Sequence, residues 1–380
     1  MTAASVKKGW SVSSLLSLVF ALLALVLLPF NEASTGTQNS MFAISILLVG
    51  LFAFWLLLNR QQGLIAASLS CGVVLLGAWL VLTLVHSLVK ETTATLAIWF
   101  FVVALAFLTW QGLQLLSGIK TQKKIGNILL GLFIPMLFGA WIFFLWEVVT
   151  TGFAVPQVLL PAPSVIWQVF DGAGPTLAAD FYQTFVRAVI PGFIIGSGTG
   201  FITAIAADRI PFLQRGLIPL GNFVSAIPIV GIAPIMVMWF GFDWQSKAAV
   251  VAIMTFFPML VNTLTGLADS NKIERDLLVT YAAGYWRELA SLRLPTAMPF
   301  ILNALKINST MAMIGAIVAE FFGTPIVGMG FRISTEVGRM NIDMVWATIA
   351  VAAVAGSMFY GLFAVLERVL TFWHPSMRKA

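Results

Sequence analysis

The residue types needed for covalent or metal chemistry are scarce in this sequence. Its two histidines, His86 and His374, stand far apart, and its single cysteine, Cys71, lies in an apolar run. A metal centre needs several such ligands at short fixed spacings, and a membrane enzyme needs His, Asp or Cys clustered at one face. Neither pattern is visible, and one cysteine allows no disulfide framework. No stretch reads Gly, four residues, Gly-Lys-Ser/Thr, the loop that cradles nucleotide phosphates, so ATP hydrolysis is not expected of this chain itself. The chemistry left is recognition and charge. Arg187, Lys306 and Glu320 interrupt apolar runs, where an ionisable group is costly and points to function by default. Asn262, Asn303, Asn308 and Thr310 offer neutral hydrogen-bonding groups, either as glue between helices or as solute contacts. Pro219, Pro228 and Pro234 share one apolar run and free backbone groups that hydrocarbon tolerates only beside other protein or a water-filled path.

The elements that must hold these residues are membrane helices. Of 380 residues, 60% are hydrophobic and 9% charged, with a mean hydropathy of +0.98, against about 25% charged in soluble domains. Crossing a hydrocarbon layer about 30 Å thick takes about 20 apolar residues of helix. Ten spans are predicted: 11–30, 41–58, 63–85, 95–118, 126–149, 183–206, 216–240, 247–267, 298–321 and 343–366. The first follows Lys7 and Lys8, exceeds the roughly 7–15 residues of a signal h-region, and is read as a retained span. With the N-terminus inside, 15 of 21 basic residues fall on cytoplasmic segments, so both termini are expected in the cytoplasm. The basic residues are scattered through short loops rather than gathered on one soluble face, which argues against nucleic acid. The aromatic fraction of 13% fits interface belts and lipid-facing positions.

The connections are unequal. One cytoplasmic segment, Asp269–Met298, runs to 30 residues with four basic and four acidic side chains, and loops that long usually have a function. Two external segments are long as well: Thr150–Tyr182, with Pro156, Pro161, Pro163 and Pro175, and Phe322–Ile342, with Gly323, Gly328, Gly330 and Gly338. The Lys120–Lys124 cluster separates an accessory four-span region, residues 1–124, from a six-span region, residues 125–380. Within the cytoplasmic segment, Leu277, Leu278, Tyr281, Leu289 and Leu292 recur at helical spacing beside Arg275, Asp276, Arg287 and Glu288. That predicts two short amphipathic helices meeting at Ala282-Ala283-Gly284, with Pro295 and Pro299 marking the turn back into the membrane.

This segment resembles the coupling loop of the membrane subunits of binding-protein-dependent ABC importers, whose pattern is EAA, three residues, Gly, nine residues, Ile, any residue, Leu-Pro. Here Leu294-Pro295 closes the pattern, Leu292 takes the isoleucine place and Ala282 the glycine place, while Asp276, Leu277 and Leu278 stand for the Glu-Ala-Ala. LPAPSVIW (160–167), AIPIVGIAPIMVMWFGF (226–242), FFPMLVNTLTGL (256–267) and AEFFGTPIVGMGFRI (319–333) are similar to segments of the nitrate/sulfonate/taurine (NitT/TauT) branch. That branch also includes importers for pyrimidine thiamine precursors and riboflavin. The resemblance covers about residues 125–380 and leaves 1–124 without a family reading.

The resemblance implies an all-α polytopic bundle in the bacterial inner membrane, with a type I importer permease core. It implies a function in ATP-driven import of a small nutrient: a sulfonate, nitrate, or a small organic or heterocyclic compound such as a pyrimidine vitamin precursor. The partners implied are an ABC ATPase dimer, an extracytoplasmic solute-binding protein, a second permease copy (identical or homologous) and membrane lipid. No cofactor is expected on this chain; ATP and Mg belong to the ATPase. The ATPase-coupling candidates are Asp276, Tyr281, Ala282, Ala283, Gly284, Arg287, Glu288, Leu294 and Pro295, and the substrate-pathway candidates are Arg187, Pro228, Pro234, Asn262, Asn308 and Glu320. Arg187 and Glu320 also read as a pair across the bundle, and Lys306 as a snorkelling residue. The alternative, a secondary transporter or channel, would show inverted repeats and acidic or histidine relays, which this sequence lacks.

Overall fold

The computed structural model describes residues 12–29, 36–58, 64–87, 93–117, 124–225, 227–323 and 326–373. Lys7, Lys8, Arg60, Lys90, Lys120, Lys123, His374, Arg378 and Lys379, which entered the charge pattern or the search for ligands, lie outside these residues. Among the described residues, eight helices are long and apolar enough to cross a membrane. Two shorter apolar helices, Val12–Val26 and Ile229–Phe240, fall within the predicted first and seventh spans. Contacts divide the chain into two compact units that meet between Val165 and Ile166.

The first unit holds α1 (Val12–Val26), α2 (Gly36–Leu58), α3 (Leu64–His86), α4 (Leu96–Ser117) and α5 (Lys124–Gly152). α4 is its hub, packing on the other four. Phe101, Leu105 and Leu108 of α4 are fully enclosed, and Phe42 of α2 meets Phe101 edge-on with ring centroids 5.4 Å apart. Polar side chains join α1 to α4: the Ser17 hydroxyl donates to the Ala104 carbonyl at 2.9 Å, and Ser14 pairs with Gln111. The C-terminal part of α5 enters the same core through Phe144 and Val148, while Leu132, Phe133 and Met136 stay exposed, as lipid-facing side chains must.

α6 (Pro163–Phe181), whose first three residues belong to the first unit, runs in the second unit through a π-helical segment (Tyr182–Val189) into α7 (Ile190–Arg209), one helical rod of 47 residues. The sequence predicts a proline-rich loop over Thr150–Tyr182, but most of it is helix. Pro163 opens α6, a place where its missing N–H has no helical partner to lose, and Pro175 alone interrupts the interior. α8 (Pro211–Ser225) and α9 (Ile229–Phe240) split the predicted seventh span at Ile227–Pro228, because Pro228 holds an extended backbone at the head of α9. α10 (Trp244–Ala268), α13 (Leu294–Glu320) and α15 (Ile342–Leu370) complete the long helices. The segments between them carry α11 (Lys272–Thr280), α12 (Tyr285–Glu288) and α14 (Met329–Gly338).

Pro295 and Pro299 do not mark a turn. Helix continues unbroken from Tyr285 to Glu320, with a π-helical stretch at Leu289–Arg293. A proline at 295 lacks the N–H that would bond the carbonyl four residues back and crowds that carbonyl, and the wider π turn lies where this conflict falls.

α7, α10 and α13 form the centre of the unit. α7 presents Gly192, Gly196 and Gly200, four residues apart and so on one face, to α10. A Cβ at Gly192 would come within 2.5 Å of the Ala248 carbonyl, and one at Gly200 within 2.5 Å of the Phe256 carbonyl. In lipid such small-residue stripes let backbones touch, replacing a hydrophobic drive that the solvent does not supply. Gly196→Ala, whose Cβ would overlap Thr255 and the Ala252 carbonyl, is expected to destabilise the purified protein by about 1–3 kcal/mol. Gly198→Ala, which meets nothing within 4 Å, should leave the melting temperature in detergent unchanged.

Candidate functional site

The predicted coupling segment is a compact two-helix hook. Asn271 caps α11, its Oδ1 accepting from the Ile273 N–H at 3.0 Å, and Glu274 sits in the first turn where the helix dipole favours negative charge. At the other end, the Ala283 N–H donates to the Leu278 carbonyl at 3.0 Å and the Ala282 N–H to the Val279 carbonyl at 2.9 Å. Those two bonds are a Schellman cap, which needs a left-handed residue at its centre, usually glycine. Ala282 fills that place with φ +53°. The coupling-loop pattern reserves a glycine for this position, and the geometry supplies the reason.

The hook leaves its apolar side uncovered. No residue of α11 is buried, and Ile273, Leu277, Val279, Tyr281 and Trp286 are all more than half exposed. Asp276, Ala282, Gly284 and Arg287 are exposed as well, while Ala283, Leu294 and Pro295 are half-buried. Within this chain, a Cβ on Gly284 meets nothing within 4 Å. An apolar ridge of that kind marks a surface for another protein.

What fixes the hook is charge. Arg293, 5% exposed, forks onto Asp208 near the end of α7, with Nη1 to Oδ2 at 2.8 Å and Nη2 to Oδ1 at 2.5 Å, and its Nε donates to the Leu267 carbonyl of α10 at 3.2 Å. The Tyr285 hydroxyl donates to Asp208 Oδ2 at 2.8 Å, and the Arg209 guanidinium lies over the Tyr285 ring, 4.8 Å from its centroid. Glu288 accepts from Arg275 Nε at 2.8 Å and lies 3.9 Å from Arg293. Arg287 and Glu288, adjacent in sequence, thus face apart: Arg287 outward, Glu288 into its own chain. The sequence singles out neither Asp208 nor Arg293 for this role, because they lie 85 residues apart.

At the far end of α13, Glu320 is 2% exposed. It accepts from the Thr184 hydroxyl at 2.8 Å and from the Gly330 N–H at 2.7 Å. Asp180 accepts from the Gly328 N–H at 2.8 Å and from Arg332 Nε at 2.7 Å, and this hydrogen bond raises the Arg332 pKa above its ordinary value. The Met329 N–H donates to Thr184. Three successive N–H groups at the head of α14, which lack helical acceptors, are thereby satisfied by two carboxylates and a hydroxyl. Nearby, the buried Lys247 ammonium donates to the carbonyls of Phe242 at 2.6 Å and Asp243 at 3.1 Å, closing the turn after α9.

The pathway candidates do not converge. Arg187 bonds Gln183 at 3.4 Å and lies over the Tyr182 ring, so its expected pairing with Glu320 is not formed. Asn308 is fully buried and donates to Ser197 at 3.0 Å and to the Thr255 carbonyl at 2.7 Å, joining α13 to α7 and α10. Asn262 donates to the Pro258 carbonyl of its own helix at 2.8 Å. Pro228 and Pro234 both lie on the α9 arm, at its head and in its interior. Lys306 does not snorkel: it pairs with Glu367 of α15 at 2.6 Å, because a carboxylate at the same depth neutralises it better than the interface would.

Residues 196–378 match the family of binding-protein-dependent transport system inner membrane components. That part of the chain is similar to the membrane components of ABC importers. The chain is 29% identical to the formylaminopyrimidine transport permease protein ThiX of Halalkalibacterium halodurans, over 63% of this chain and 95% of that protein. The riboflavin transport system permease protein RibX of Chloroflexus aurantiacus is 28% identical over 61% of this chain and 86% of its own length. The putative aliphatic sulfonates transport permease protein SsuC of Bacillus subtilis is 28% identical over 67% and 92%. These relatives are inner-membrane transport permeases of the NitT/TauT type, not enzymes, and the matched family implies an ATPase and a substrate-binding protein as partners.

Two substitutions test this geometry. Ala282→Gly relieves a left-handed Cβ and is expected to stabilise the protein by up to about 1 kcal/mol, less the greater freedom of glycine in the unfolded chain. Asp208→Ala strands the buried Arg293 charge at a cost of about 3–5 kcal/mol, and proteolysis within residues 269–293 should accelerate sharply in that variant alone.

Proposed function

We propose that the α11–α12 hook seats in a groove on an ABC ATPase and drives uptake of a small nutrient through a pathway formed by two permease copies, identical or homologous. The observation that carries this reading is the uncovered apolar ridge of the hook, anchored by Arg293 to both α7 and α10. Tyr281, Ala282, Ala283, Gly284 and Trp286 form the tip, Asp276 and Arg287 offer charges to the ATPase, and Leu294-Pro295 begin the rod that receives the motion. Glu288 braces the hook from inside. The 36-residue helix from Tyr285 to Glu320 is about 54 Å long at 1.5 Å per residue, enough to carry a displacement from the ATPase side to the Glu320 clamp.

Residues 125–380 act as the permease domain and 1–124 as an accessory membrane region, with both termini cytoplasmic, as the distribution of Lys and Arg supports. ATP and Mg are bound by the ATPase, and the solute-binding protein selects the cargo. Relatives named for formylaminopyrimidine, riboflavin and sulfonate transport support a small organic nutrient of heterocyclic or sulfonate character. Arg187, exposed in the single chain, is available to the second copy or to the pathway.

The purified permease should hydrolyse no ATP until the ATPase is added; turnover by this chain alone contradicts the assignment. In proteoliposomes, Ala283→Trp adds volume at the tip and should abolish ATP-driven uptake. Arg287→Glu should weaken ATPase co-purification, with a reduced salt dependence. Wild-type uptake and an intact complex in both variants would remove the hook from the mechanism.

A further inference from the structure

Glu147 is the only carboxylate on α5, and just 6% of it is exposed. A buried carboxylate in a membrane helix is costly unless donors satisfy it. Three do so. His86 Nε2 lies 2.7 Å from Oε1, the Ser164 hydroxyl donates to the same oxygen at 2.6 Å, and the Ser164 N–H donates to Oε2 at 2.9 Å. That N–H belongs to the first turn of α6, where backbone donors have no acceptor within the helix, and Pro163 before it has no N–H to offer. α6 has no acidic residue of its own in this turn. Glu147 thus caps α6 from another helix, placing negative charge at the positive end of its dipole.

His86 is the last residue of α3, in the part of the chain outside the family match. Two further contacts tie the C-terminal end of α5 to α4 and the residues just before it: the Ala94 N–H donates to the Gly152 carbonyl at 2.7 Å, and Trp99 stacks on Phe153 with centroids 4.2 Å apart. α6 leads without a break into the segment carrying Asp180 and Thr184, which hold the head of α14.

We propose that Glu147, oriented by His86, is a positioning residue for transport: it sets the first turn of α6, and through it the N-terminal bundle acts on the permease. The proposal rests on the importer reading above. The bundle is then a built-in accessory rather than a passive anchor, and its point of action is one hydrogen-bonded carboxylate.

The test uses the full chain, reconstituted with its ATPase and solute-binding protein. His86→Ala is expected to lower the maximal uptake rate about tenfold while leaving the KM for uptake within about twofold and the assembled complex at wild-type abundance. His86→Gln, which keeps an N–H near the Nε2 position, should recover most of the rate. Glu147→Ala should be slower than His86→Ala, because it also frees Ser164. Wild-type maximal rates in both alanine variants overturn the proposal. So does a loss of assembled complex in His86→Ala that matches its loss of uptake, since the cap would then serve folding alone. Failure of the wild-type assembly to import anything counts against the importer reading instead, and is visible before any variant is made.

Discussion

The Arg293–Asp208 pair is the interaction on which the working parts of the second unit depend. A coupling element of the kind proposed must be loose enough in its surface to accept a partner and stiff enough in its base to pass force on. The hook meets the first need with exposed apolar side chains and the second with a bidentate guanidinium–carboxylate pair, 6% and 11% exposed at its two side chains. Such a fork fixes direction as well as distance, which a lysine at the same place would not. Because Arg293 also reaches the Leu267 carbonyl, one side chain joins the coupling segment to α7 and to α10, the two helices that the glycine stripe presses together. The Tyr285 hydroxyl on Asp208 and the Arg209 cation over the Tyr285 ring complete a small network around that carboxylate, so the base of the hook is a cluster and not a single tie.

The sequence was most legible where solvent chemistry decides the outcome. Hydrocarbon accepts only long apolar helices, so spans could be drawn from composition and length. The hook was legible because two turns of amphipathic spacing flank small residues, and the pattern's glycine place coincides with the left-handed Ala282. Helices inside the loops were less visible. α6 carries prolines and aspartates that read as a loop, although one proline stands where helices accept it, and Asp180 is turned toward Arg332 rather than water. α14 was hidden by glycines whose roles are close approach and a φ of +143° at Gly328.

Pairings across the chain were the least legible. Glu147, Asp208 and Glu367 lie within the last turns of their helices and Asp180 inside the long α6–α7 rod, and nothing local distinguishes a buried carboxylate at these places from a solvated one. Lys247, the first residue of the predicted span 247–267, is buried, because the turn after α9 needs a donor for its carbonyls. Glu320 and Arg187 suggested each other by opposite charge, yet Thr184, one turn before Arg187 on the same rod, is the residue that reaches Glu320. Periodicity gives the face a residue occupies, whereas pairing also requires the depth and rotation of the neighbouring helix, which are properties of packing.

Along α13 the polar contacts fall at both ends and at the centre, each with its own partners. Arg293 at one end and Glu320 at the other are charged; between them Lys306 is paired with Glu367 of α15, and the neutral Asn308 bonds Ser197 and the Thr255 carbonyl. From Arg293 to Asn308 is about 22 Å of helix and from Asn308 to Glu320 about 18 Å, by the rise per residue. Charge is most costly away from water and headgroups, so the central Lys306 is neutralised by a carboxylate of the neighbouring helix, while Asn308 joins helices as a neutral amide without an ion's desolvation. The helix is thus fastened to α7 and α10 at its Arg293 end, to α15 through Lys306 at its centre, and to the head of α14 at its Glu320 end. A displacement imposed on the Arg293 end cannot be absorbed by sliding past α7 and α10, since the fork there is directional and the glycine stripe allows little separation. It has to appear at the far fastening, where Glu320, Thr184 and the head of α14 meet.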